Sequence, residues 1–285
     1  MDTQKYLREI KGKISSLDSY VENEERLIFR LSLGITSAQL FLLKELSPEQ
    51  VAKIEKVLKR RMKNEPLTKI FNSAEFMGYE FYINKDVLSP RKETELLVEL
   101  AIKSAQEMLL KNSQNQNKIR VLDMCCGSGC IGLAIKKILK DATDVTLADL
   151  SSDALKVAKR NAQNESVKTI KTDMFQDLKK DEKFDIIVCN PPYISKDEYE
   201  NLSSSVKDYD PKMALVGGEN GLKFYKILGE QGGKYLTPRG EIIMEIGYNE
   251  REDVQKIFEN AGFKTVAYKD FSGLDRVVVA KNYGE

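Results

Sequence analysis

The sequence predicts an α/β fold with a mostly parallel sheet, preceded by a small helical domain and a β-hairpin. From residue 93 onward, helix-like and strand-like segments alternate, as is typical of a parallel sheet covered by helices on both faces. Of the 17 glycines, only Gly12 and Gly34 fall within the first 70 residues, and this change in composition indicates a domain boundary. The 285 residues are also enough for two domains.

Residues 1–65 are predicted to form several short helices, because apolar residues recur there at helical spacing. Ser47 is followed by Pro48 and, three residues on, by Gln50, which predicts a capping box at the start of one helix. This segment contains no pattern that indicates chemistry. We expect a helical bundle that packs against or docks another molecule.

Residues 66–90 are predicted to be a β-hairpin linker turning near Gly78, since aromatic and polar residues alternate around that glycine. Residues 91–285 then form the α/β domain. Its predicted elements are helix 93–111, strand 119–124, helix 130–140, strand 144–149, helix 152–163, strands 167–171 and 184–189, helix 220–236, strand 240–246, helix 250–261, and strands 263–269 and 275–281. A short turn joins the last two strands, so we expect them to be antiparallel.

The composition excludes several classes of function. The net charge is only +1, so the chain has no global basic field for binding a long nucleic-acid backbone. It contains no histidine, which excludes imidazole-based zinc sites and Ser-His-Asp triads. The four cysteines do not form CxxC pairs, and we expect neither a metal nor a disulfide. Short apolar runs and the absence of a secretory signal lead us to expect a cytoplasmic protein without a membrane partner.

A glycine-rich turn after strand 119–124 predicts a nucleotide-binding site. Gly127 and Gly129 allow a ligand to approach the backbone, and the helix that follows offers free N–H groups. Asp149 ends the next strand, about 20 residues later, where a carboxylate can accept hydrogen bonds from two ribose hydroxyls. An adenosine-containing ligand is expected, and both nicotinamide dinucleotides and S-adenosylmethionine (SAM) fit this arrangement.

Asp123, inside the strand before the turn, favours SAM. A carboxylate there would add negative charge beside a pyrophosphate, whereas it suits the amine at the methionine end of SAM. Asp173, after the third strand, is expected to contact the adenine amino group, although it could instead be a helix N-cap. The predicted cofactor-binding residues are Asp123, Cys125, Gly127, Gly129, Asp149, Leu150, Asp173, Met174 and Asn190.

The most specific feature is Asn190-Pro191-Pro192-Tyr193, directly after the predicted strand 184–189. Ligands of open α/β sheets bind beyond the carboxyl ends of the strands, so this loop should face the same crevice as the glycine turn. The prolines give a rigid backbone with carbonyl acceptors, Asn190 adds a side-chain acceptor, and Tyr193 adds an aromatic wall. We predict these four residues to be catalytic.

Paired acceptors beside an aromatic wall suit a planar –NH₂ group conjugated to a carbonyl or a ring. Such a nitrogen is a poor nucleophile. Hydrogen bonds from its two N–H groups to Asn190 and to the Pro191 carbonyl would orient it and direct its lone pair at the methyl group of a sulfonium. Most of the rate enhancement would then come from positioning, without a strong base.

These features resemble class I SAM-dependent amino-methyltransferases, and more closely the PrmC/HemK family of bacterial peptide chain release factor glutamine methyltransferases. Further segments that match this family are residues 89–95, 214–222, 245–247 and 270–276. The resemblance implies a class I SAM methyltransferase (Rossmann-like) sheet and an N-terminal domain that docks the substrate. It also implies methylation of the side-chain amide nitrogen of the glutamine in the Gly-Gly-Gln motif of class 1 release factors.

The resemblance further implies roles for individual residues. Asn190 and Pro191 would hold the glutamine amide, Tyr193 would line its slot, Asp149 would bind the SAM ribose and Asp173 would lie beside the adenine. Residues 90–95 would border the methionine end of SAM. The family commonly has Gly-Thr-Gly-Ser-Gly in the cofactor loop, whereas this chain has Cys125-Cys126 at the first two positions, which questions the local shape of the turn.

Two alternatives stay open on the sequence. DNA adenine and ribosomal RNA guanine methyltransferases use the same Asn-Pro-Pro-aromatic loop on flipped bases. The near-neutral charge and the absence of a basic target domain argue against this, and we expect no direct nucleic-acid partner. The second alternative is a non-catalytic SAM- or nucleotide-binding module that acts as a docking protein.

Overall fold

The computed structural model describes residues 1–17, 22–111 and 118–282. The chain divides into two compact units, a helical unit of Met1–Asn72 with Ser203–Tyr209, and an α/β unit of Ser73–Leu202 with Asp210–Glu285. Within the described ranges, no helix has both the length and the apolar character needed to cross a membrane.

The first part of the helical unit is built from α1 Thr3–Ile14, α2 Glu24–Leu33, α3 Ser37–Leu42, α4 Pro48–Arg61 and α5 Leu67–Phe71. The predicted capping box is present, because Ser47 and Gln50 each accept a hydrogen bond from the other's backbone N–H at the start of α4. The core of the unit contains fully buried Phe29 and Ile54.

Helix α5 corrects the expected boundary at residue 65. Leu67 and Ile70 are buried in the core of the helical unit, and Asn72 ends the helix with φ of 53°. The hairpin linker expected from residue 66 therefore begins later, at Ser73. The unit also includes Ser203–Tyr209, which the sequence did not predict, and in which the Tyr209 hydroxyl donates to the Lys63 carbonyl at 2.9 Å.

The α/β unit begins with a hairpin of β1 Ser73–Phe76 and β2 Tyr79–Tyr82. Met77 and Gly78 between them have φ of 52° and 75°, as a two-residue type I′ turn requires. The hairpin predicted to turn near Gly78 is confirmed.

The remaining elements follow in chain order: α6 Glu95–Lys111, β3 Ile119–Met124, α7 Cys130–Leu139, β4 Thr143–Asp149, α8 Ser152–Asn161, β5 Val167–Lys171, β6 Phe184–Cys189, α9 Lys196–Glu200, α10 Ser204–Lys207, α11 Lys223–Gly232, β7 Leu236–Glu245, α12 Arg251–Asn260, β8 Phe263–Lys269 and β9 Asp275–Asn282. Of these, α10 belongs to the helical unit. The others build one sheet and the helices on its two faces.

The seven-stranded sheet has the order β5-β4-β3-β6-β7-β9-β8. The pairs from β5 through β7 are parallel, and β9 is antiparallel to both β7 and β8. Successive side chains of a strand point to opposite faces of the sheet and pack into two different hydrophobic cores, as those of Val121 and Leu122 do in β3. This confirms the predicted mostly parallel sheet with an antiparallel last strand.

The strand order places a topological switch point between β3 and β6. After β3 the chain builds β4 and β5 to one side and then returns to place β6 on the other side. The last residues of these strands, Met124 and Cys189, are paired in register. The glycine turn and the Asn190–Tyr193 loop therefore leave the sheet side by side, where ligands of open α/β sheets bind.

Candidate active site

A cavity lies at the carboxyl ends of β3, β4, β5 and β6. Loops that follow these strands form much of its wall, with contributions from Met124–Ser128, Asp149–Ser151, Thr172–Met174, Asn190 and Pro192. Pro90, Arg91 and Thr94 also line it, and their position at the methionine end of SAM stays a prediction. Arg91 is held by an ion pair with the buried carboxylate of Asp210 at 3.1 Å.

Eight of the predicted site residues line this cavity together: Cys125, Gly127, Asp149, Leu150, Asp173, Met174, Asn190 and Pro192. The other four, which the structure also describes, lie outside the lining: Asp123, Gly129, Pro191 and Tyr193. The structure thus brings the glycine turn and the Asn190 loop to one cavity, and it separates the residues that face the cavity from those that support it.

The glycine turn is fixed by its own backbone and by Asp149. The N–H of Gly129 donates to the Cys126 carbonyl at 2.7 Å, and the N–H of Gly127 donates to Oδ2 of Asp149 at 2.8 Å. Cys125 has φ of 59°, a conformation that favours glycine. The cysteine therefore occupies the left-handed position within the turn despite its side chain.

Asp149 has a supporting role that the sequence did not predict. Besides holding Gly127, its Oδ1 accepts from the Ser151 N–H at 2.8 Å. A carboxylate can accept about four hydrogen bonds, so acceptor capacity is left for a ligand in the cavity. Burial raises the pKa of Asp149, and the backbone N–H donors oppose that rise.

Asp173 is exposed at the cavity wall, and the alternative interpretation of it as a helix N-cap finds no support. Residues 172–183, all of them described, contain turns and bends and no helix. The hydroxyl of buried Thr172 donates to the Met174 carbonyl at 2.8 Å and accepts from the Asp177 N–H at 3.1 Å, so Thr172 closes this turn. Asp173 is left as a polar group on the cavity wall.

Asp123 is fully buried beneath the glycine turn. Its Oδ2 accepts from the Gly132 N–H at 2.8 Å, near the start of α7, and its Oδ1 has no hydrogen-bond partner among the described residues. Burial is the main cause that raises its pKa to about 7. The predicted contact of Asp123 with the methionine end of a cofactor stays a prediction.

The Asn190–Tyr193 loop is held from the side by residues 214–222. The Ile194 N–H donates to the Leu215 carbonyl at 2.9 Å, and the Gly217 N–H donates to the Ile194 carbonyl at 2.9 Å. A Cβ at Gly217 would lie 2.5 Å from the Pro192 carbonyl oxygen, and a Cβ at Gly221 would collide with the Tyr193 carbonyl oxygen. Only glycine allows this approach, so these positions fix the path of the loop.

Tyr193 faces the protein interior and packs against one of the two cores of the sheet. Its hydroxyl donates to Oε1 of the buried Glu245 at 3.4 Å. Burial, together with the negative charge of Glu245, raises the pKa of Tyr193, so the hydroxyl keeps its proton. No role was predicted for Glu245 or Gly217. The signal that could have pointed to Glu245 is a carboxylate directly after the apolar run Ile242–Met244.

Replacing Gly217 by alanine should destabilise the protein by about 1–3 kcal/mol, because the added methyl group displaces the Pro192 backbone. Urea unfolding followed by circular dichroism measures this. Gly12→Ala is the control, since a Cβ there meets nothing within 4 Å, and it should leave stability unchanged or slightly higher. Equal stability of both variants would show that the loop yields without cost.

Asp123→Asn should stabilise the protein increasingly as the pH rises. The raised pKa means that ionising Asp123 costs little near pH 4 and reaches its full cost above about pH 7. The difference in unfolding free energy between variant and wild type should grow by about 2 kcal/mol from about pH 5 to about pH 8. Urea titrations at both pH values measure it, with the exposed Asp141→Asn as the charge control. A constant difference would contradict the assignment.

Two family models match this chain, and solved structures share its fold. The PrmC N-terminal domain matches residues 7–71, and the methyltransferase small domain matches residues 98–206. The human methyltransferase 10 domain containing protein has the same fold, with a TM-score of 0.50 at 16% identity over 73% of this chain and 90% of that one. The hMettl16 catalytic domain gives 0.54 at 14% identity over 85% and 84%.

Relatives of greater sequence similarity are named release factor glutamine methyltransferases or bifunctional methyltransferases. The release factor glutamine methyltransferase of Clostridium acetobutylicum is 39% identical over 93% of this chain and 92% of its own length. That of Thermodesulfovibrio yellowstonii is 35% identical over 96% and 97%. A bifunctional methyltransferase of Rickettsia felis is 33% identical, and this chain spans 55% of its length. The chain belongs to the release factor glutamine methyltransferase family.

Proposed function

We propose that this protein transfers the methyl group of SAM to the side-chain amide nitrogen of the glutamine in the Gly-Gly-Gln motif of class 1 release factors. The observation that supports this most directly is that Asn190 and Pro192 line the same cavity as the glycine turn and Asp149. A group held by the Asn190 loop would therefore meet a ligand held by the turn. The names of the relatives support the choice of substrate.

The residues of the cavity fit SAM. Gly127 lines it, and a Cβ there would meet no protein atom within 4 Å, so a ligand has room beside the backbone. We assign the ribose hydroxyls to the remaining acceptor capacity of Asp149, and the adenine amino group to Asp173. Leu150 and Met174 supply apolar surface for the adenine ring. SAM supplies an electrophilic methyl group on a positively charged sulfonium.

Asp123 and Gly129 act in this proposal through the turn that they support. Asp123 holds the N–H of Gly132, and its buried carboxyl provides negative charge that favours the amine of the methionine end. Gly129, with φ of 77°, allows the backbone to enter α7. Cys125 lines the cavity beside them.

The chemistry then depends on orientation. An amide nitrogen is weakly nucleophilic because its lone pair is delocalised into the carbonyl. Hydrogen bonds from its two N–H groups to Asn190 Oδ1 and to the Pro191 carbonyl would fix the plane of the amide. Tyr193 lies outside the cavity lining, and we assign it the role of holding the end of this loop through Glu245. As the bond between nitrogen and the methyl carbon forms, the bond from that carbon to sulfur breaks, S-adenosylhomocysteine leaves, and the nitrogen releases one proton to solvent. Placing the two reacting atoms in line is worth about 7–11 kcal/mol of the barrier in well-oriented systems.

We further propose that the helical unit docks the release factor. The PrmC N-terminal domain matches this unit, and none of the unit's described residues lines the cavity. A separate docking surface would provide binding energy from parts of the substrate that do not react. The family match favours a protein substrate over the nucleic-acid alternative.

A release factor incubated with this protein and SAM should gain one methyl group on the Gly-Gly-Gln glutamine. Peptide mass spectrometry after digestion locates the group. The control is the same factor with that glutamine replaced, which should gain no methyl group. Methyl transfer that persists on the replaced factor, or that occurs on nucleic acid instead, would contradict the proposal.

Asn190→Ala and Asp149→Asn should separate catalysis from cofactor binding. Asn190→Ala should bind SAM with nearly unchanged affinity while turnover falls about 100-fold, because orientation of the amide is lost. Asp149→Asn keeps one acceptor for the turn but loses the charge, and should weaken SAM binding about 10-fold or more.

Isothermal titration calorimetry and initial rates on the release factor measure the two effects. Equal loss of SAM binding and turnover in Asn190→Ala would mean that Asn190 only shapes the cavity. Unchanged affinity in Asp149→Asn would mean that the ribose binds elsewhere. Retained turnover in Asn190→Ala would remove the residue from the mechanism.

A further inference from the structure

We propose that Thr94 and Glu245 are positioning residues that set which end of the Asn190 side-chain amide faces the substrate. The proposal rests on the proposed function, in which Asn190 Oδ1 accepts from the substrate nitrogen. A 180° flip of an asparagine side-chain amide exchanges the positions of its oxygen and its NH₂ group. With the NH₂ group facing the substrate, two donors would meet and the site would not hold an amide.

The three side chains form a chain of hydrogen bonds with a defined direction. The Thr94 hydroxyl donates to Oε2 of Glu245 at 2.5 Å. The Nδ2 group of Asn190 donates to Oγ1 of Thr94 at 3.4 Å. Thr94 and Glu245 are each only 2% exposed, so little of either side chain is open to bulk solvent.

The direction follows from the carboxylate. An ionised carboxylate only accepts hydrogen bonds, so the single hydroxyl proton of Thr94 is committed to Glu245. Thr94 Oγ1 is then available only as an acceptor, and it selects the NH₂ end of Asn190. The oxygen of the Asn190 amide is thereby left on the opposite side.

The same carboxylate contacts the other end of the loop. Oε1 of Glu245 accepts from the Tyr193 hydroxyl at 3.4 Å, while Oε2 serves Thr94. Both ends of the Asn190–Tyr193 loop are thus tied to Glu245, one directly and one through Thr94. Glu245 therefore couples the orientation of the Asn190 amide to that of the Tyr193 side chain.

The surroundings of Glu245 are costly for a charge. Its neighbours Met244 and Ile246 are fully buried, and burial raises the pKa of Glu245, while the Thr94 hydrogen bond and the positive charge of Arg276 oppose the rise. The negative charge of Glu93 adds to the rise in the pKa of Glu245. A buried carboxylate is seldom the most stable side chain at such a position. Stability therefore does not explain the presence of Glu245, whereas its role in setting the direction of the hydrogen bonds does.

Thr94→Val, Thr94→Ser and Glu245→Gln test the proposal. Valine keeps the shape of threonine but removes the hydroxyl, serine keeps the hydroxyl, and glutamine can either donate or accept. We expect kcat on the release factor to fall about 30-fold in Thr94→Val and Glu245→Gln, and to stay within about 3-fold in Thr94→Ser. SAM affinity by calorimetry should stay within about 3-fold in all three variants.

A double-mutant cycle tests whether Thr94 acts through Asn190. Added to Asn190→Ala, Thr94→Val should change kcat by less than about 3-fold, because the group that it orients is already gone. Full additivity of the two losses would overturn the proposal. So would a loss of SAM affinity in Thr94→Val as large as the loss in kcat, since Thr94 also lines the cavity.

A substrate-free measurement separates this inference from the proposed function. In protein labelled with ¹⁵N-asparagine, the side-chain NH₂ signals of Asn190, identified by their loss in Asn190→Ala, should shift in Thr94→Val and Glu245→Gln but not in Thr94→Ser. Unchanged signals in both variants would overturn the inference, whether or not the release factor is methylated. Absence of methylation by the wild type, with the signals shifted as expected, would overturn the proposed function alone.

Discussion

The site depends on a rigid loop held in one place. Two consecutive prolines restrict the backbone after β6, and the surrounding structure then fixes where the loop lies. Gly217 and Gly221 approach its carbonyl groups more closely than any side chain would allow, and Glu245 anchors Tyr193. Because amide methylation offers little scope for strong acid–base catalysis in a chain without histidine, accuracy of position is the main contribution that this protein can make.

The buried acidic groups around the sheet support this arrangement at a cost to stability. Asp123, Asp149 and Glu245 lie at or near the carboxyl ends of β3, β4 and β7, and burial raises the pKa of each. Each also accepts a hydrogen bond that shapes the site, from Gly132, Gly127 and Thr94 respectively. Carboxylates thus serve here as fixed acceptors that determine backbone and side-chain geometry, and the cofactor and the amide are proposed to use what acceptor capacity and charge remain.

Local sequence patterns predicted much of the fold and the main parts of the site. The strands 119–124, 167–171, 184–189 and 263–269 were predicted with the observed bounds, since each is a short run between turn signals. The sequence also predicted that the glycine turn and the Asn190 loop face one crevice, because ligands of open α/β sheets bind beyond the carboxyl ends of the strands. Features set by contacts distant in sequence were missed. Helix α5 depends on burial of Leu67 and Ile70, and the approach of Gly217 to Pro192 depends on how two loops meet. Periodicity carries no information on such contacts.

The central claim is that Asn190 and Pro191 hold an amide by both of its N–H groups, aimed at the methyl donor. The most direct measurement is a crystal structure of this protein with S-adenosylhomocysteine and a peptide containing the Gly-Gly-Gln motif. We expect the glutamine amide nitrogen to lie within about 3.2 Å of both Asn190 Oδ1 and the Pro191 carbonyl oxygen. A glutamine amide bound elsewhere in the cavity, with Asn190 facing away from it, would show that Asn190 and Pro191 do not hold the substrate.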